Sequence, residues 1–252
     1  MHDAPAPAQL PTLRAPDQPT IKSTDPDVPD LFRFMAEAEL RFDTLRMRIV
    51  DRRTTTHGDE TETHEVWLRH PGMAKVISTR GDALERDYDA WLADGESVHT
   101  YDARAKNATS RRLPVRPVGA EDANLPAHSR IYLPVTTLPA ETLADTFVHP
   151  HGICRNVLST GIVTRGGTQV LANREAFLLR CDHPRTSHVL TDRPDHWLEI
   201  GIDAQIGAIL LLAEHVGDQV TRHAEVTTFA VDEIITDDVF RLHISSDTRI
   251  LY

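Results

Sequence analysis

Tyr88-Asp89-Ala90-Trp91-Leu92-Ala93-Asp94-Gly95, followed by Val98 and Tyr101-Asp102, reads as a strand, a tight turn and a second strand. Tyr88, Ala90 and Leu92 alternate with polar or opposite-facing residues, the period-2 signature of a strand with one buried side. Asp94-Gly95 supplies a turn that accepts positive φ, and Val98 and Tyr101 carry the returning strand. A hairpin of this kind needs neighbours to bury its apolar side, so the chain on either side decides the fold.

Upstream, Leu45, Met47 and Ile49 alternate with Arg46, Arg48 and Val50, and a polar turn at His57-Gly58-Asp59 reverses the chain. Val66 and Leu68 follow with Trp67 on the opposite side, then a Pro71-Gly72 turn, then Ala74, Val76 and Ser78. Asn107 to Arg112 reads as one more strand. Downstream, a second meander comprises Gly161–Arg165, Thr168–Cys181, His188–Leu190, Trp197–Asp203, Ala208–Val216 and Val220–Ile235, with turns placed at Gly166-Gly167, Ile206-Gly207 and Gly217-Asp218. Two helices are expected. One is capped by Asp30 and buries Leu31, Phe34, Met35 and Ala38; the other follows Thr137 and Pro139 and buries Leu143, Ala144 and Phe147.

The prolines at positions 5, 7, 11, 16, 19 and 26 break any helix, so residues 1–28 read as a disordered Pro-rich tail and 29–252 as one domain. Pro114, Pro117, Pro126, Pro134 and Pro139 make 113–139 a long crossing loop or a lid. The expected fold class is α+β: a strongly curved antiparallel sheet, a half-barrel, with helices covering the concave face and an apolar cavity between the layers.

Charge narrows the function. Lys and Arg number 27 against 38 Asp and Glu, a net of -11, which opposes sequence-independent binding to nucleic acid or an anionic membrane. No apolar run reaches the ~18 residues of a membrane-spanning helix. The amino terminus lacks a basic start and an apolar core, so no secretory signal is visible and the chain as written reads as cytoplasmic.

The ordered motifs resemble a family. The Tyr88–Asp102 stretch is similar to the "W-x-x-D-G-x-x-x-W/Y-x-Y-D" hairpin of the bacterial lipoprotein-carrier superfamily, which includes the outer-membrane lipoprotein carriers (LolA), the LppX-type lipoproteins and the amino-terminal half of RseB-type sigma-factor regulators. Arg69-His70-Pro71-Gly72-Met73-Ala74-Lys75-Val76 resembles its "K-P-G-K-F-R" turn, and Asn173-Arg174-Glu175-Ala176-Phe177 its "G-R-E-A-Y" strand. Trp197–Asp203 then Gly207 resembles "L-W-V-D-x-x-T-G-L-P", without the final proline, and Arg222 to Phe229 with Phe240 resembles the closing strand and turn. The resemblance implies an eleven-stranded half-barrel that shelters acyl chains, a place in the cell envelope, and a buried arginine on a strand that bonds to the lid. Arg46, Arg48 and Arg69 are equal candidates for that arginine.

The function expected on this basis is non-enzymatic binding of a lipid, acyl chain or lipoprotein, with no cofactor and with peripheral membrane contact allowed. Trp67, Trp91, Trp197, Leu45, Met47 and Tyr101 are the candidate ligand-binding residues. A second reading is an RseB-type regulator acting through a protein partner. A third is a metal- or thiol-dependent enzyme. His149-Pro150-His151-Gly152-Ile153-Cys154 and Cys181-Asp182-His183, with His188 beyond, carry zinc-type ligands, but the chain lacks paired C-x-x-C knuckles. A Cys154–Cys181 disulfide suits an oxidising compartment only. Two unlinked, half-buried thiols are the expected state, with no catalytic residue assigned.

Overall fold

The computed structural model describes residues 26–81, 87–113, 134–184, 195–242, 244 and 248–251. The tail up to residue 25, the 114–133 part of the expected lid and the expected strand His188–Leu190 lie outside them.

Twelve strands form one open sheet. In chain order they are β1 (Thr44–Thr55), β2 (Gly58–Arg69), β3 (Met73–Arg80), β4 (Tyr88–Asp94), β5 (Ser97–Asp102), β6 (Asn107–Arg112), β7 (Ile162–Leu171), β8 (Arg174–Asp182), β9 (His196–Asp203), β10 (Ile209–Val216), β11 (Gln219–Val231) and β12 (Arg249–Leu251). Their order across the sheet is β12-β6-β5-β4-β3-β2-β1-β11-β10-β9-β8-β7, so two antiparallel meanders join through β1 and β11. Among the described residues three short α-helices accompany the sheet: α1 (Val28–Ala36), α2 (Leu143–Val148) and α3 (His151–Asn156).

The registers sort every strand into two faces. Leu45, Met47 and Ile49 stand beside Leu68, Val66 and His64 on one side and Val231, Phe229 and Val226 on the other. Leu212 and Ile200 extend that row. Leu31, Met35, Phe147, Cys154 and Leu158 from the helical segments share one continuous core with this face, and α2 touches both β2 and β10. We call it the covered face. The other, outer face carries Arg46, Arg48, Trp67, Lys75, Ile77 and Tyr101.

Five local expectations are corrected. The first helix starts a turn early: Asp27, not Asp30, caps it by accepting from the Asp30 N–H, because Pro29 is tolerated in a first turn. It ends at Ala36, and Ala38 belongs to a 3-10 turn, Ala38–Arg41. The second starts at Leu143 behind a Thr142 cap rather than at Thr137–Pro139. Gly166-Gly167 is a bulge inside β7 and not a turn; the hairpin turns at Ala172-Asn173, whose φ values of 49° and 61° suit the twist of a two-residue loop. A Cβ on Gly166 would sit 2.9 Å from the Leu178 Cβ, so this glycine serves close packing. Finally, β11 stops at Val231. Asp232, at φ 58°, turns the chain and accepts from the Asp43 N–H at 2.8 Å.

The implied eleven strands become twelve because β12 adds to the β6 edge, in parallel. It is delivered there by residues 233–242, which cross the outer face. Ile235 and Phe240 pack on Leu92 and Trp67, and Arg69 binds the Ile235 carbonyl at 3.0 Å and Asp237 at 2.6 Å. Gly207, at φ 84°, lies where a Cβ would be 2.7 Å from the Phe34 carbonyl oxygen, so only glycine lets the β9–β10 turn meet α1.

Candidate functional site

The covered face is an apolar wall. Leu45, Met47, Ile49, Val66, Leu68, Ile200 and Val226 are all essentially inaccessible, contributed by β1, β2, β9 and β11. Each such side chain contributes roughly 1.5–3 kcal/mol on burial. The layer above it is thin. Leu31 and Met35 of α1, Phe147 of α2 and Leu158 reach down to it and are themselves fully buried.

One edge of that layer is held by polar groups. Glu39, buried in the 3-10 turn, accepts from the Val135 N–H at 2.9 Å. Its Oε2 also lies 3.4 Å from His149 Nε2, while His149 Nδ1 meets Asp145 at 2.8 Å. Thr136 Oγ1 accepts from the Gly72 N–H at 2.8 Å, so its own hydrogen is free to donate to His70 Nδ1, 2.7 Å away. His70 stacks on Phe42. Together these groups pin the described end of the expected lid, where Val135, Thr136 and Leu138 are buried, against the β2–β3 turn and α2.

Burial, reinforced by the neighbouring His149, lowers the His70 pKa to about 4, against the opposing pull of the Glu39 backbone. The folded value lies below the ordinary one of ~6.5, so the unfolded chain takes up the proton first. The stability from a neutral His70 is therefore complete above pH ~6.5, falls as pH drops towards 4, and is flat below that. A loss of about 3 kcal/mol is expected over the window, read by urea unfolding at successive pH values. His70→Asn should flatten that part of the profile; an unchanged slope would remove His70 from the account.

The far end of the covered face is ionic. Asp51 is fully buried, bonded by Arg222 at 3.0 and 3.1 Å and by Arg53 at 2.7 Å. Burial alone would raise its pKa, but the two guanidiniums outweigh that and hold it below the usual carboxylate range. Arg222 also reaches Glu214, and His64 bonds Ser78 at 2.8 Å. The wall is thus apolar under the helices and charged beyond them.

The six candidate ligand residues divide between the faces. Leu45 and Met47 lie in the covered wall, and Trp91 packs against the same core. Trp67 and Tyr101 lie on the outer face, in two separate clusters. Trp197 is also on that side, stacked on His215 at 3.6 Å beneath Arg180. Of the three arginines considered for the lid, Arg46 and Arg48 are exposed, and Arg69 instead ties down residues 235–237. Trp67, Trp91 and Trp197 therefore do not line one cavity.

Cys154 and Cys181 are both free and buried, the first 3.7 Å from Met35 Sδ, the second 3.8 Å from the Leu158 carbonyl. Burial pushes their thiols up to about 12 and about 11, the reverse of what a nucleophile or metal ligand needs. Among the described residues no three His, Cys, Asp or Glu side chains converge as a metal site, His149, His151 and His183 included; His188 lies outside them. His149 is engaged with carboxylates instead. The polar cluster escaped the sequence reading, although Glu39 continues the buried Leu31, Met35 spacing of four residues, an unusual place for a carboxylate.

The sheet matches a crystal structure of MucB at TM-score 0.51 and 16% identity, over 87% of this chain and 64% of MucB. The chain shares the fold of MucB. The Mycobacterium tuberculosis lipoprotein LppX matches at TM-score 0.43 and 11% identity, over 83% of this chain and 99% of LppX. The Pseudomonas aeruginosa MucA/MucB complex matches at 0.47 and 15%, over 85% of this chain and 60% of that one. The chain thus spans less than two thirds of MucB. No family model and no curated protein matches the sequence.

Proposed function

We propose that this protein is a non-enzymatic binding module that takes a lipid, an acyl chain or the acyl group of a lipoprotein between the covered face and its helices. In this reading the sheet bends as a half-barrel with the covered face concave, and Leu45, Met47 and Trp91 contact the ligand. The observation that supports it is a wide apolar wall whose cover, among the described residues, is built of short elements: two six-residue helices, one nine-residue helix and a segment held at one edge by hydrogen bonds. A cover of that kind can lift as a unit, and each methylene that takes its place contributes roughly 0.8 kcal/mol before ordering costs.

An environment-sensitive fluorescent fatty acid should bind at one saturable site and be displaced by palmitate, and gently purified protein should carry lipid in native mass spectra. Absence of both results ends this reading. A second reading, an RseB-type regulator that contacts a protein partner, is favoured by the likeness of the fold to MucB. Membrane contact, in either case, is peripheral.

A further inference from the structure

The outer face holds a groove of about 330 Å3, lined by Lys75, Ile77 and Thr79 of β3, Tyr88 and Ala90 of β4, Tyr101 of β5, and Leu242. It is on the opposite side of the sheet from the site proposed above and does not depend on that reading.

Its chemistry is ordered by register. Thr79 stands opposite Tyr88, Ile77 opposite Ala90, and Ala90 opposite Tyr101. Lys75 lies four residues before Thr79 on the same strand, which at ~3.4 Å per residue puts its Cα about 14 Å away. The floor between is apolar: Ile77, Ala90, the two tyrosine rings packed edge to face at 5.8 Å, and Leu242 over them. Both ends are polar. The Lys75 ammonium donates to the carbonyls of Val239 and Arg241 at 3.0 and 2.9 Å, which leaves one of its three N–H groups. At the other end, the hydroxyls of Thr79, Tyr88 and Tyr101 bond to no other described residue. Glu65, opposite Ile77 on β2, flanks the floor without lining it.

The geometry points to a second binding site, for a medium-chain monocarboxylate whose chain lies along Ile77, Ala90 and Tyr101 and whose carboxylate meets Lys75. The remaining N–H fits a compact anion, and no carboxylate is found among the described lining residues. At about 330 Å3 the groove lies at the small end of the roughly 300–1,000 Å3 range of ligand pockets, which suits a chain the size of octanoate. Residues 237–242 close one side of the groove. Arg69 holds them through Asp237 and lies over Phe240, and Lys75 bonds their carbonyls, so the wall is built by the folded chain.

The test is titration of the full-length protein with octanoate, followed by backbone amide shifts in heteronuclear NMR. Saturable shifts are expected at Ile77, Ala90, Tyr101 and Leu242. Uncharged octanol should bind at least tenfold more weakly, and octylammonium should produce no saturable shift there. Ala90→Trp fills the floor and should abolish the effect; Thr79→Trp, at the more open end, does the same should the first variant fold poorly. Shifts confined to the covered face, at Leu45, Val66 and Leu212, overturn this site while supporting the carrier reading. Equal affinity for octanol, or full binding by a folded blocking variant, overturns it as well.

Discussion

Asp51→Ala should cost the fold about 3 kcal/mol or more, measured by urea unfolding at neutral pH. Asp51 is fully buried and receives three side-chain hydrogen bonds from Arg222 and Arg53. Cutting back the carboxylate leaves Arg222, itself mostly buried, with Glu214 as its acidic partner at 3.2 Å. Breaking a buried pair from one side typically costs 3–5 kcal/mol, because the surviving charge stays out of water. The value here falls towards the lower end, since Arg53 is 44% exposed and can hydrate. Replacing both partners, Asp51→Leu with Arg222→Met, should recover most of the loss, as an apolar pair carries no desolvation penalty. The pH dependence has a definite sign. The folded pKa of Asp51 is depressed, so its contribution is present above the unfolded carboxylate value of ~3.9 and disappears as pH falls through the folded one. A single variant within 1 kcal/mol of the parent would show that this ionic end does not hold the sheet.

Phe147→Ala is expected to destabilise by about 3–5 kcal/mol and, at the same time, to tighten binding of a fatty-acid probe. Phe147 is fully buried on α2, a helix that bridges β2 and β10 across the covered face. Truncation removes the transfer free energy of the ring and leaves a void that two flanking elements cannot easily close. If a ligand takes its place under the helices, the parent protein must first displace the ring, whereas the variant offers the space already. A tenfold or greater gain in probe affinity together with a lower unfolding free energy is the expected pair of results. Lower stability with unchanged affinity would separate the packing role from ligand binding and place the ligand elsewhere.

Much of the fold was legible before any coordinates. Alternation at Leu45–Ile49, Val66–Leu68, Ala74–Val76 and Tyr88–Leu92 marked strands because each has one buried side, and that pattern is local. Glycine misled at Gly166-Gly167, where two glycines in a row looked like a turn. Their meaning was a bulge and a close approach to Leu178, a partner on the neighbouring strand that no window along β7 could contain. The real turn, Ala172-Asn173, carried a weaker local signal.

The candidate site was less legible, and the reason is geometric. Trp67 and Trp91 sit in similar strands, yet the register places Trp67 outside, under Phe240, and Trp91 against the helix-bearing core. His149 looked like a metal ligand from its neighbours His151 and Cys154. Its actual partners are Asp145, one helical turn away, and Glu39, far back in the chain. By itself the amino-acid order determined most of the strands and their succession, since these rest on period-2 burial and turn chemistry between near neighbours. Which side of the sheet the helices would take, what the buried carboxylates would bond, and the folding of residues 233–242 across the outer face were decided only in three dimensions, where side chains distant in sequence compete for the same contacts.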